Sequence, residues 1–198
     1  MSVIPFLLYV IVTSITPGPN NIMAMAIANK YGFKRSLNFV YGVATGFLLL
    51  MLLCSYFTFS LYSYIPKIKF AMSILGSLYM LYLSFKIMKS ALHKNDKDDK
   101  DNNDGRWNSF FSGMMLQFIN FKVILYGITA ISSFIIPFYT SHISLILFSF
   151  FLAFVGLAAT SCWAVFGALF QKFLFKYEKH FNIFMGILLI YSAISLHL

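Results

Sequence analysis

The chain has 198 residues, of which 60% are hydrophobic, 19% aromatic and only 11% charged. That composition excludes a soluble globular domain and describes an integral membrane protein, with the lipid bilayer as its first partner. The net charge of +9 is spread over short loops, which marks membrane topology and excludes nucleic acid as a partner.

Apolar runs measured against the ~20 residues that a spanning helix needs give six spans: Val3 to Ala28, Leu37 to Tyr64, Ile68 to Phe85, Phe110 to Phe138, Ile143 to Phe170 and Phe181 to Leu196. The expected fold class is therefore all-α, a polytopic membrane protein with six transmembrane helices in a single membrane domain over 1–198. Met1 to Ile15 carries no Lys or Arg, so the basic n-region of a signal peptide is missing, and the first segment is expected to be retained.

Span one contains Thr16-Pro17-Gly18-Pro19-Asn20-Asn21. The two prolines remove backbone donors and push Thr16 and Gly18 out of helical geometry, leaving carbonyls of the preceding turn without partners. In hydrocarbon that is tolerated only where the broken backbone is buried in protein or lines a polar cavity. Val3 to Ile15 contributes about 20 Å and Asn20 to Ala28 about 14 Å of helix, so the break falls near mid-depth, where secondary transporters place small polar solutes. A half-helix starting near Asn20 would present free N–H groups to a carboxylate.

In span two, Gly42 and Gly46 form a small-xxx-small face, and Gly156, Ala159 and Thr160 form another in span five. Such faces pack helices within one protomer or between protomers, so a homo-oligomer stays open. Cys54 and Cys162 lie in separate spans without metal-ligand spacing, which predicts apolar packing rather than a disulfide or a zinc site. His93, His142, His180 and His197 fall in loops or near the C-terminus, so neither a metal site nor a catalytic cluster is expected, and no cofactor.

Residues 91–108 form a polar linker between a first half at 1–90 and a second at 109–198. Asp96, Asp98, Asp99, Asp101 and Asp104 suggest a calcium loop, but with Gly105 at the turn the first ligand position falls on Lys100 and the last on Phe111, so a solvated tether is expected. Three spans per half force any second copy to insert upside down, the arrangement of inverted-repeat transporters. Span four has its own polar interruption at Gln117, Asn120 and Lys122.

Twelve of the fifteen basic residues fall on one side of the alternating connections: Lys30, Lys34 and Arg35, then Lys86 to Arg106, then Lys172, Lys176 and Lys179. The positive-inside rule makes that side cytoplasmic, with the linker inside and both termini outside.

The segments Ser14 to Asn21, Tyr31-Gly32-Phe33-Lys34-Arg35, Tyr41 to Gly46 and Gly76 to Lys86 agree in order and spacing with a known family, as do Phe111-Ser112-Gly113 and Leu116 to Lys122. In these motifs the chain resembles the LysE/RhtB family of bacterial amino-acid exporters. The resemblance implies a secondary transporter that moves an amino acid or a close derivative across the cytoplasmic membrane by alternating access, driven by an ion gradient, with the proton as the coupling ion. The family usually has Asn-Pro-Lys where this chain has Asn120-Phe121-Lys122. The missing proline removes the main reason to expect a second helix break, so the first break is expected to carry more of the site.

Every carboxylate except Glu178 lies between Asp96 and Asp104, which leaves none inside a span. A carboxylate proton relay and an anionic pocket for a dibasic substrate are both disfavoured, and a neutral zwitterion fits better. Its ammonium would sit on carbonyls freed at Thr16 to Gly18, on Asn side chains or on an aromatic face. Lys122 would pair with the substrate carboxylate or change protonation state, unless its segment lies flat on the membrane and the lysine snorkels. The expected substrate-binding residues are Thr16, Pro17, Gly18, Pro19, Asn20, Asn21, Gln117, Asn120 and Lys122. An enzyme is disfavoured because no catalytic constellation is present; an accessory or scaffold membrane protein is the alternative.

Overall fold

The computed structural model describes residues 3–60, 65–92 and 109–195; the linker with its five aspartates lies outside the described residues. Helices make up the regular structure of these segments: α1 (Val3–Ile15), α2 (Pro19–Tyr31), α3 (Phe33–Ser60), α4 (Ile65–Leu92), α5 (Phe110–Ile119), α6 (Phe121–Thr129), α7 (His142–Leu169), α8 (Gln171–Lys176) and α9 (Glu178–Ser195). Among the described residues, Phe33–Thr58, Phe70–Lys89 and His142–Leu169 are each long and apolar enough to cross a bilayer, and counting each of the bent pairs Val3–Ile15 with Pro19–Tyr31 and Phe110–Ile119 with Phe121–Ile135 as one span gives up to 5. The sixth expected span corresponds to the shorter apolar stretch Lys179–Ile194.

Span one breaks where the prolines require it. Thr16 ends α1 with both its N–H and its hydroxyl on the Val12 carbonyl, Gly18 is extended, and Pro19 opens α2, the first-turn position where a missing N–H costs nothing. The two helices meet at 45°. At the far end of α2, Gly32 adopts φ 85 and its N–H caps the Ala28 carbonyl, a conformation that disfavours a side chain.

Span four, whose break the sequence leaves open, breaks without a proline, and its bend of 65° is sharper than that of span one. Asn120 leaves the helical region with φ −83 and ψ 91. Its N–H closes α5 on Leu116, and its carbonyl accepts from Val123 and Ile124 to open α6. One residue thus caps both helices. Beyond Thr129 the helix widens into a π-turn over Ala130–Ile135, closed by Ile136 N–H on the Ile131 carbonyl at 2.9 Å.

Helix α5 is a packed element rather than a surface helix, with Gly113 and Gln117 buried. Its partner is α3, and close backbone approach explains the glycines of that face. A Cβ on Gly42 would lie 1.9 Å from the Phe110 carbonyl oxygen, and one on Gly113 would lie 2.3 Å from that of Phe39. The Gly42–Gly46 face therefore packs inside the protomer. Helix α7 packs on α2 and α3, and α4 packs on α9, where Ser84 donates to the Gly186 carbonyl at 2.8 Å.

Large apolar side chains cover the outside, among them Phe85, Phe154, Leu169 and Phe184, as a lipid-facing surface requires. Cys54 is buried as expected, whereas Cys162 is exposed and shares an apolar surface groove with Trp163 and Phe166.

Candidate functional site

The two breaks meet. Asn20 from the first and Gln117 and Asn120 from the second form a buried amide cluster. Asn20 Nδ2 donates to Gln117 Oε1 at 2.7 Å, while Asn20 Oδ1 accepts from Gln117 Nε2 at 3.2 Å and from Asn120 Nδ2 at 2.9 Å. Gln117 Nε2 also reaches the Gly113 carbonyl at 2.8 Å. An amide network of this kind in a low-dielectric interior fixes geometry, because each member left unpaired would cost about 1–3 kcal/mol.

The carbonyls freed by Pro17 and Pro19 are held by side chains from three other helices and from α2 itself. Lys122 Nζ, on α6, donates to the Thr16 carbonyl at 2.8 Å and to the Pro17 carbonyl at 3.1 Å. Ser192, on α9, donates to the same Pro17 carbonyl at 3.0 Å, and Trp163, on α7, donates to the Ile15 carbonyl at 3.0 Å. Asn21 Nδ2 spans the carbonyls of Ser14 and Thr16 at 2.9 and 3.1 Å. From sequence, the carbonyls of Thr16 to Gly18 are one of three expected seats for a ligand ammonium, beside Asn side chains and an aromatic face; in this conformation the ammonium of Lys122 takes Thr16 and Pro17, and the Gly18 carbonyl opens α2 by accepting from the Ile22 N–H. Gly18 is also where Lys122 needs room, since a Cβ there would stand 3.0 Å from Lys122 Cδ.

A cavity of about 40 Å³ adjoins the break, lined by Thr13, Ser14, Gly18, Asn20, Asn21, Phe47, Asn120, Lys122, Val123, Tyr126, Gly156 and Thr160. Three buried polar atoms on its wall lack a hydrogen bond of full geometry: Ser14 Oγ, Asn120 Oδ1 and the Tyr126 hydroxyl. The Ser14 and Tyr126 hydroxyls do interact with each other. Thr160 adds a hydroxyl that donates to Asn21 Oδ1 at 3.4 Å. Of the nine residues expected from sequence, Gly18, Asn20, Asn21, Asn120 and Lys122 line the cavity, Thr16, Pro17 and Gln117 support them, and Pro19 faces a different cavity.

Tyr126 and Ser192 are not singled out from sequence, and Thr160 is read only as part of a packing face. A signal existed for two of them: Tyr126 lies one helical turn beyond Lys122, and Thr160 one turn beyond Gly156, on the face read as packing. Among the described residues, no group of three His, Cys, Asp or Glu side chains is disposed to hold a metal ion.

The LysE type translocator family matches the chain over residues 11–198. A Salmonella typhimurium protein named cysteine/O-acetylserine efflux protein is 39% identical over 191 residues, covering 96% of this chain and 95% of that one. Proteins of the same name from Klebsiella pneumoniae, at 36% over 96% of this chain and 94% of its own length, and from Escherichia coli O139:H28, at 37% over 96% and 95%, are similar as well. No solved structure matches. A match across nearly the whole chain, by family and by relatives, means that this chain belongs to the LysE type translocator family.

Proposed function

We propose that the chain exports a small neutral amino acid of the cysteine or O-acetylserine kind, bound where the two breaks meet. Family and relatives support an amino-acid exporter in a bacterial cytoplasmic membrane, and neither an enzyme nor a scaffold. One observation carries the site. Ser14 Oγ, Asn120 Oδ1 and the Tyr126 hydroxyl, buried without full hydrogen bonds, line one cavity with a lysine for which the spans contain no carboxylate. Buried polar groups are nearly always paired, so acceptors and hydroxyls left open beside an ammonium suit a zwitterion.

At about 40 Å³ the cavity holds about three waters, at the ~10–15 Å³ that each needs. An amino acid is larger, so the described conformation is a closed one, and loading requires the break to widen. In our reading the substrate ammonium replaces Lys122 on the Thr16 and Pro17 carbonyls. Lys122, freed, meets the substrate carboxylate together with first-turn N–H groups of α2. The lysine is thus a tethered stand-in for the substrate cation, and its release couples occupancy to opening. With no carboxylate in the spans, Lys122 is also our candidate for the proton-coupling group.

The membrane arrangement belongs to the same proposal. Each half runs as a broken span, a long helix and a third helix, which supports inverted repeats at 1–90 and 109–198 joined by a cytoplasmic tether at 91–108, with both termini outside. Because Gly42 and Gly46 are used within the protomer, they give no support to a homo-oligomer.

Uptake of radiolabelled cysteine and O-acetylserine into everted membrane vesicles tests this reading. Wild type is expected to accumulate at least one of them when the membrane is energised, and Asn20→Ala and Lys122→Ala to lose about 100-fold in rate, the scale of a lost charge-assisted contact. Wild-type rates in both variants would overturn the site, and no accumulation of either compound by wild type would overturn the substrate.

A further inference from the structure

The cavity at the break has two unlike ends. Its polar end is fixed by Lys122 beside Gly18 and by Thr160 on Asn21. The packing of α3 locates the other. Gly46 lies against Met114 and Gln117, and Met51 against Gly127, so α3 runs in the same direction as α5 and α6. Phe47 lies against Gly156, and Ser55 pairs with Ser149 at 3.2 Å, so α3 and α7 run in opposite directions. Tyr126, one turn beyond Lys122, and Gly156, one turn before Thr160, therefore stand at the same level, a helical turn away from the polar end.

That second end is apolar. A Cβ on Gly156 would stand 3.3 Å from Phe47 Cε2, and the Phe47 ring lies 5.6 Å from that of Tyr126, which in turn stacks on Tyr9 at 5.8 Å. Val123 adds to the same lining. Tyr126 also carries the one polar feature here, since its hydroxyl meets that of Ser14. Two hydroxyls have two protons to donate, and a contact between them uses one. Neither oxygen has another partner among the described residues. One O–H is thus left buried at the cavity wall without a protein acceptor, a state that folded proteins rarely keep.

We propose that this end is the subsite for the substrate side chain, where the Ser14–Tyr126 hydroxyl pair donates to a side-chain acceptor and Gly156 against Phe47 limits side-chain size. The proposal rests on the export reading, in which the amino and carboxylate groups occupy the break, and it adds a substrate class: amino acids whose short side chain carries an oxygen or sulfur acceptor. A thiol sulfur and an ester carbonyl both qualify. A hydrocarbon side chain of equal length does not, because it would leave the hydroxyl proton buried and unmet.

Norleucine matches O-acetylserine in side-chain length and has no side-chain acceptor, so the two compounds test the subsite as a pair. In everted vesicles, wild type should favour O-acetylserine over norleucine at least about ten-fold in Vmax/KM. Tyr126→Phe keeps the ring between Phe47 and Tyr9 and should cut that preference to about two-fold, and Ser14→Ala should cut it as well. Gly156→Ala should lower O-acetylserine about ten-fold relative to cysteine, since the added methyl takes depth that only the longer side chain uses. A packing role for Tyr126 would slow both compounds together; that result, or an unchanged preference at wild-type rates, would overturn the hydroxyl pair as the recognition element. An equal effect of Gly156→Ala on cysteine and O-acetylserine would overturn the size limit. Binding is read separately from transport by the rise in unfolding temperature of the purified protein with each compound. Stabilisation of wild type by O-acetylserine over norleucine, lost in Tyr126→Phe, supports the subsite even without uptake, and it is then the export reading that falls. Equal stabilisation of wild type by both compounds would overturn the subsite even when export is intact, and neither uptake nor stabilisation would overturn both readings.

Discussion

The two helix breaks reach the same place by different physics. The first is written in covalent chemistry: Pro17 and Pro19 cannot donate, and the chain between Ile15 and Pro19 leaves the helix whatever surrounds it. The second rests on Asn120, an ordinary residue with no backbone restriction, and yet it bends more, 65° against 45°. Asn120 holds its extended backbone while its side chain donates to Asn20 across the interface. A break made by proline survives in isolation, whereas a break made by tertiary hydrogen bonds exists only when both halves are assembled. The chain therefore pairs a rigid half-site with a conditional one, and the conditional one carries Lys122.

The comparison predicts unequal damage when each break is attacked. Asn120→Leu should be the more severe. It deletes the donor to Asn20 Oδ1 and puts a strong helix former at the hinge, so α5 and α6 gain by joining into one helix that would carry Lys122 away from Thr16 and Pro17. We expect a loss of about 2–3 kcal/mol of stability from the broken amide network and transport close to background. Thermal unfolding in detergent, with uptake assayed in parallel, checks both. Near-normal transport would mean that the second break does not depend on Asn120.

Pro17→Ala should do less. Pro19 still starts α2, Gly18 stays extended, and the carbonyl at 17 keeps its two donors, so the break persists with one more N–H to satisfy. The expectation is a rate lower by about ten-fold, from the added N–H and the looser backbone beside the break, with a stability change of about 1 kcal/mol. A loss as large as that of Asn120→Leu would show that the proline itself, and not the extended Gly18, holds the first break open.

This difference also explains what was legible in the sequence. The membrane class, the all-α fold and the first break could be read because hydropathy and proline geometry act locally, over a turn or a span. The polar residues Gln117 and Asn120 stood out for being polar in an apolar run. Their function as a hinge did not, because the partner that makes Asn120 break the helix is Asn20, 100 positions earlier. The same applies to the carbonyls of Thr16 and Pro17. Their freedom is a local fact, but their occupation by Lys122 and Ser192 is a tertiary one. Tyr126, Thr160 and Ser192 belong to types that occur throughout the helices, and only assembly brings them to one cavity or one carbonyl.

The mildest test restores the residue usual in the family at the second break. Phe121 is the first residue of α6, where proline is favoured, and Asn120 already holds the extended backbone that a residue before proline requires. Phe121→Pro should therefore fold, losing chiefly the edge contact of the Phe121 ring with Tyr79, centroids 6.4 Å apart, a cost of about 0.5–1.5 kcal/mol. Its informative use is in combination. Once proline breaks the helix by covalent geometry, Asn120 is relieved of that task, and Phe121→Pro should return to Asn120→Leu a large part of its transport. Rescue would separate the hinge role of Asn120 from its role on the cavity wall. Absence of rescue in a folded double variant would mean that the open acceptor Asn120 Oδ1, and not the bend, is what the transporter needs there.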